Sequence, residues 1–230
     1  MAKQTLSTRA LLACGAVAGP IYVTVTMIQA LTREGFDLRQ HRFSWLTTGE
    51  LGWIHQSNMV LVGVLTVLLA VGVRQMMRTG PGAVWGPRLF ALFGVAYVVG
   101  GLLRADAVAG FPPGTTPEMV QHTWHGIAQN ASRSASTLFL IATSVVIARW
   151  FAGEGHRGWA WFYGTAIPAV FVALTAVGRF AIGGNPVALA FLMTPWIWVT
   201  ALAVHLYRRE AKRSDDVPAG QGTRSTLVAG

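Results

Sequence analysis

Long apolar runs separated by short polar connectors make up most of the chain, and none of the runs alternates with the period of two that a strand requires. Six of them approach the roughly 20 apolar residues that a helix needs to cross a bilayer. They run from about Ala10 to Leu31, Trp53 to Val73, Leu89 to Leu103, Gly126 to Trp150, Trp159 to Phe180 and Pro186 to Tyr207. The third is the shortest, so Arg88 and Arg104 at its two ends are expected to reach outward to water. Without alternation a β-barrel is excluded. The expected fold is all-α, an integral membrane bundle of six transmembrane helices filling residues 1–207, followed by a basic, disordered tail at 208–230. The first run resembles a secretory signal only in its basic start, because it is too long and has Gly19-Pro20 at its centre.

Composition agrees. The chain has 230 residues, 53% hydrophobic and 12% charged, with a mean hydropathy of +0.47, whereas soluble domains carry about 25% charged residues. One cysteine, Cys14, excludes a disulfide framework and a cysteine-based zinc site. The net charge of +9 and pI near 11.0 would suggest nucleic acid if the basic residues clustered on one solvated face. Their placement gives another meaning. With the N-terminus in the cytoplasm, the inner side holds Lys3, Arg9, Arg74, Arg78, Arg88, Arg149, Arg157, Arg208, Arg209, Lys212, Arg213 and Arg224. The outer side holds Arg33, Arg39, Arg42, Arg104, Arg133 and Arg179. Twelve against six is a positive-inside bias that puts both termini in the cytoplasm and the protein in the cell (inner) membrane, with no nucleic-acid partner.

Aromatic belts are expected from Trp45, Trp53 and Trp124 outside and from Trp85, Trp150, Trp159 and Trp161 inside. Trp196 and Trp198 fall in mid-span, where they serve packing, lipid contact or the lining of a ligand site. Gly15 and Gly19, one turn apart, allow close helix approach, and Pro20, Pro168 and Pro195 are expected to bend their helices.

Polar chemistry gathers on the outer side, in the longer connectors and the first turns below them. His122, His125, Gln129, Arg133 and Ser136 recur at helical spacing and so share a face of the fourth helix; His55 and Asn58 do the same on the second, and Asp106 ends the third span at that level. An arginine as deep as Arg133 must face the bundle interior or a wet cavity. Either Asp106 and Arg133 form a structural ion pair, or these groups flank a pocket open to the outside. Arg104 and Arg133 would suit an anionic head group, and Asp106 with a histidine would suit acid–base catalysis. His-x-x-His alone is a weak metal signal, no third ligand has diagnostic spacing, and no phosphate loop, dinucleotide fingerprint or nucleophile elbow occurs, so no metal or cofactor is implied.

Several elements occur in a telling order: Gly15-x-x-x-Gly19-Pro20, the stretch from Leu31 to Asp37, Gly49 with Gly52-Trp53, Asp106, Gly110-Phe111-Pro112-Pro113-Gly114, and Trp124-His125-Gly126. The pattern resembles the bacterial and archaeal membrane family catalogued as domain of unknown function 998. The resemblance implies a multi-pass bundle of about this length and gives weight to Asp106 and His125. In the family's pattern a second histidine often follows Trp-His-Gly one turn later, where this chain has Gln129.

Three functions are consistent with these residues. The first is a binding or handling protein whose outward pocket, built from His55, Asn58, Arg104, His122, Gln129, Arg133 and Trp196, holds the polar end of a lipid or other lipophilic small molecule. The second is a membrane-embedded enzyme on a lipophilic substrate, such as an isoprenoid cyclase, with Asp106 or His125 supplying the proton and Trp196 and Trp198 facing cationic intermediates. The third is a structural or regulatory subunit.

Overall fold

The computed structural model describes residues 7–180 and 186–215. Six helices follow in chain order: α1 (Thr8–Thr32), α2 (Gly52–Met76), α3 (Trp85–Leu102), α4 (Trp124–Gly153), α5 (Arg157–Phe180) and α6 (Pro186–Asp215). Each expected run is a helix. The short third one starts earlier than its apolar pattern, at Trp85, with the Arg88 guanidinium lying 5.7 Å from the Trp85 ring. The last continues past Tyr207 to Asp215, so the beginning of the expected tail is helical; its remainder, 216–230, lies outside the described residues. Each helix packs on its chain neighbours, and α6 returns to α1 to close a ring.

Helices α1 to α4 are each long and apolar enough to cross a membrane. Their polarity is inverted relative to a soluble bundle. Outward positions such as Val17, Leu61, Val64, Val71, Leu92, Val95, Leu138 and Val145 are exposed, while Thr26, Asn58, Thr66, Gln129, Thr143 and Ser144 are buried. Lipid accepts the first set without cost, and the second set must be satisfied inside. The Thr66, Thr143 and Ser144 hydroxyls donate to carbonyls of their own helices, at 2.7 Å each. Other donors reach a neighbour: Asn58 Nδ2 to the Tyr22 carbonyl (3.2 Å), Ser132 Oγ to that of Ala96 (2.5 Å), and Trp198 Nε1 to that of Tyr163 (3.1 Å).

Glycines set the closest helix approach. A Cβ on Gly63 would sit 2.7 Å from the Gly94 carbonyl oxygen, and one on Gly94 would sit 2.7 Å from that of Gly63. Backbone thus faces backbone across α2 and α3, the contact small residues permit in a membrane. Of the expected α1 pair, Gly15 faces Leu69 of α2 whereas Gly19 faces Trp196 and Thr200 of α6, so α1 is pressed against both neighbours.

At the end of the bundle where α1 begins and α6 ends, Arg209 pairs with Glu154 at 2.8 Å and covers the Trp150 ring, and Arg9 donates to the Ala211 carbonyl at 2.9 Å. Trp150 is therefore buried rather than part of an interfacial belt, because Arg209 and Phe151 enclose it. Trp53, Trp85, Trp124, Trp159 and Trp161 are exposed near the helix ends.

Candidate functional site

At the opposite end of the bundle, the connectors between α1 and α2 and between α3 and α4 fold into a cap. Arg33, just past α1, donates from both terminal nitrogens to the Leu46 and Thr48 carbonyls of a 3-10 turn (Phe43–Thr47), and its guanidinium lies 5.2 Å from the centre of the Phe111 ring. Burial lowers its affinity for the proton from the ordinary arginine range. Phe36, His41 and Phe111 pack ring against ring at 5.3 to 5.4 Å. Gly49, at φ 70°, takes a left-handed conformation beside Pro112 and Arg33 that a side chain would strain. Gly52 abuts the Thr47 backbone, which leaves no room for a Cβ.

His41 Nδ1 accepts from the Asp37 N–H at 2.9 Å, and burial pushes its pKa below the usual 6.5. The folded cap binds this proton less readily than the unfolded chain does. Its contribution is complete above pH 6.5 and is lost as the pH falls through the window below. Melting curves in detergent should therefore show stability declining on acidification below that value, and His41→Phe should flatten the decline. An unchanged slope in the variant would refute the assignment.

Asp106 performs one definable task. Its carboxylate accepts from the Thr123 N–H at 3.2 Å and from the Thr123 hydroxyl at 2.5 Å, while Thr123 Oγ1 accepts from the Gly126 N–H at 3.2 Å and so caps α4. A carboxylate over the first turn of a helix also meets the positive end of its dipole. A Cβ on Gly126 would overlap that carboxyl group, which gives the glycine of Trp-His-Gly its physical reason. Asp106 thus forms no ion pair with Arg133. His122 Nδ1 lies 3.9 Å from it but is almost wholly in solvent. His125, the expected partner, is exposed and packs on Trp124.

Below the cap lies a buried polar layer. Asn58 Nδ2 serves the Tyr22 carbonyl, Gln29 Nε2 the Leu51 carbonyl, and Gln129 Nε2 the Thr47 hydroxyl, which itself donates to the Ser44 carbonyl. The carbonyl partners fix the orientation of the Asn58 and Gln29 amides, because a flipped amide would aim oxygen at an acceptor that has no proton to give. Asn58 Oδ1, Gln29 Oε1, Gln129 Oε1 and His55 Nδ1 remain buried without partners. Tyr22, Tyr97 and Trp196 form an aromatic floor with ring centres 4.9 to 5.5 Å apart, and Tyr22 reaches His55 at 5.8 Å.

Arg133 belongs to this layer. It follows Gln129 and precedes Ser136 and Leu140 on one face of α4, all three of them buried, yet Arg133 itself is exposed. The residues that share its face turn toward the bundle, and Arg133 stands exposed beside them with no carboxylate partner among the described residues.

Of the residues expected at a site, His55, Asn58, Gln129 and Trp196 are buried in this layer with Arg133 beside them. Arg104, His122 and His125 are exposed at the rim, and His122 precedes α4 rather than sharing its face, because the helix begins at Trp124. The expected meeting of α2, α3 and α4 is also shifted, since Asn58 turns toward α1. Tyr22, Gln29, Thr47 and Tyr97 complete the layer without having been anticipated. Gln29 was legible as an amide inside an apolar run; Thr47, in a connector, carried no periodic signal.

Comparison with curated proteins and with solved structures finds no match. A family profile described as a protein of unknown function matches residues 16–205, from within α1 to within α6. The capped helical bundle therefore belongs to the family DUF998.

Proposed function

We propose that the protein spans the cell membrane six times with both termini in the cytoplasm, and that its outward end binds the acidic polar end of a lipophilic small molecule at Arg133. The excess of Lys and Arg in the inner connectors supports the orientation. Helices α5 and α6, with 24 and 30 residues, are long enough for the remaining two spans.

The observation that carries the binding reading is the exposed, carboxylate-free Arg133 on an otherwise buried face. A guanidinium at membrane depth needs either an anion or water, and among the described residues no carboxylate pairs with it. The orphaned amide oxygens at the same end ask for hydroxyl donors, and the Tyr22, Tyr97 and Trp196 rings offer an apolar wall. A ligand with an acidic, hydroxylated end and a hydrophobic body answers all three. Asp106, engaged at the start of α4, gives the enzyme reading no comparable observation.

Native mass spectrometry of purified protein, with lipid extraction, tests this. A co-purifying acidic species is expected, and Arg133→Ala should lower its retention about 10- to 100-fold, the worth of a charge-assisted hydrogen bond. Arg104→Ala should not. Equal retention in the Arg133 variant, or no bound species, would overturn the reading.

A further inference from the structure

Among the charged residues of α1 to α4, only Arg133 lies more than two turns from a helix end. It is not isolated. Asn130, three positions before it, and Ser134, the next residue, are exposed as well, and Thr137 is half-buried. These four groups form a polar strip on a helix that is otherwise apolar enough to cross a membrane.

Helical period relates this strip to α5. Asn130 and Ala148 are eighteen residues apart, as are Arg133 and Phe151. That spacing is about five full turns, so each pair points in one direction. At the level of the second pair member, that direction faces α5: a Cβ on Gly164 would sit 2.7 Å from the Ala148 Cβ, and the Phe151 ring stacks on Tyr163 at 5.3 Å. At Asn130 and Arg133 the same direction is uncovered, although α5 continues as a helix to Phe180. The seam between α4 and α5 is thus closed at one end and open at the other. Pro168, one turn past Gly164, interrupts the backbone ladder and gives α5 a place to bend away. Ile127 and Leu138, 63% and 66% exposed on the neighbouring side of α4, put lipid next to the opening.

We propose that this open seam is a lateral portal through which an anionic glycerophospholipid of the outer leaflet places its head group on Arg133. The proposal rests on Arg133 being an anion site, and adds the route and the class of ligand. Arg133 lies about 14 Å along the axis from Trp124, the first residue of α4. Helical side chains lean toward the N-terminus, which returns the guanidinium toward the head-group region. The lipid phosphate accepts from this guanidinium and from the Asn130 amide. Ser134 and Thr137 give their protons to the Asn130 and Arg133 carbonyls, at 3.1 and 3.2 Å, so their oxygens accept a head-group hydroxyl. A chain remains in the bilayer along Ile127 and Leu138.

The test is lipid retention by native mass spectrometry, with the full-length protein exchanged into nanodiscs containing equal phosphatidylglycerol and phosphatidylcholine. Phosphatidylglycerol should be held about tenfold over phosphatidylcholine, as expected for one charge-assisted hydrogen bond. Arg133→Ala should abolish the preference. Thr137→Trp fills the seam one turn below Arg133 with the guanidinium in place, and should remove most of it. Asn130→Leu, at an exposed position where folding is not at risk, should weaken it too and decides alone if Thr137→Trp does not fold. Leu138→Trp, beside the seam, is the control and should leave the preference unchanged. A preference lost in Arg133→Ala but kept in folded Thr137→Trp and Asn130→Leu would preserve the anion site and overturn the lateral route. A preference kept in Arg133→Ala would overturn the anion site itself, as would equal retention of the two lipids in the parent protein. Soluble glycerol phosphate should not compete; competition would make the occupant a free phosphate ester arriving from water and overturn the lipid.

Discussion

Replacing Gly94 by leucine should separate α2 from α3 and unfold the bundle at denaturant concentrations that leave the parent protein intact. The reason is geometric. The groups that a side chain would meet are the Gly63 carbonyl oxygen at 2.7 Å and the Val67 backbone nitrogen at 3.0 Å, and backbone cannot rotate aside as a side-chain tip can. The helices must move apart along a seam that also includes Gly101 against the Gln56 carbonyl. Overpacking of this kind costs about 3 kcal/mol, a large part of the stability of a typical domain. Gly158→Leu is the matched control, since nothing lies within 4 Å of a Cβ there. Denaturation by a titrated detergent, followed by tryptophan fluorescence, should show a large loss for Gly94→Leu and almost none for Gly158→Leu. Similar curves for the two would remove the seam from the account.

The second large effect concerns the start of α4. Asp106→Ala should cost about 1–2 kcal/mol, the usual worth of a helix cap. Gly126→Ala should cost a similar amount, because the new methyl group displaces the carboxylate from Thr123. The informative protein is the double variant. With the carboxylate gone, the methyl group introduced by Gly126→Ala finds space and its better helix propensity is realised, so the double variant should be no less stable than Asp106→Ala alone. The expected coupling is about 1 kcal/mol or more. Strict additivity would mean that Asp106 is not held over Gly126. Loss of turnover of a lipophilic substrate in a folded Asp106→Asn protein would point to a catalytic acid, whereas a change in stability alone agrees with a cap.

The spans were legible because twenty or so apolar residues in sequence have few physical alternatives. The face of α4 that carries Gln129, Arg133 and Ser136 was legible for the same reason, as spacing defines a helix face. Pairings were not. The sequence brings Asp106 and Arg133 into one layer and makes an ion pair reasonable, but spacing along a chain does not reveal that a loop of seventeen positions returns Asp106 to Thr123. Trp150 was assigned to the interface by its place at a helix end, and only the return of α6, with Arg209, buries it. The lone glycines were ambiguous in the same way: Gly126 became intelligible once its neighbour was known to be a carboxylate.

Among the hydrogen bonds that pass from a side chain on one helix to the backbone of another, three fall in a regular order. Asn58 ties α2 to α1, Ser132 ties α4 to α3, and Trp198 ties α6 to α5. Hydroxyls such as Thr66 and Thr143, satisfied within their own turn, place no demand on a partner. Each helical hairpin thus carries its own pairing instruction, a bond between helices adjacent in the chain. The glycine contact of α2 with α3 and the closure of α6 on α1 join hairpins whose registers these bonds fix from within.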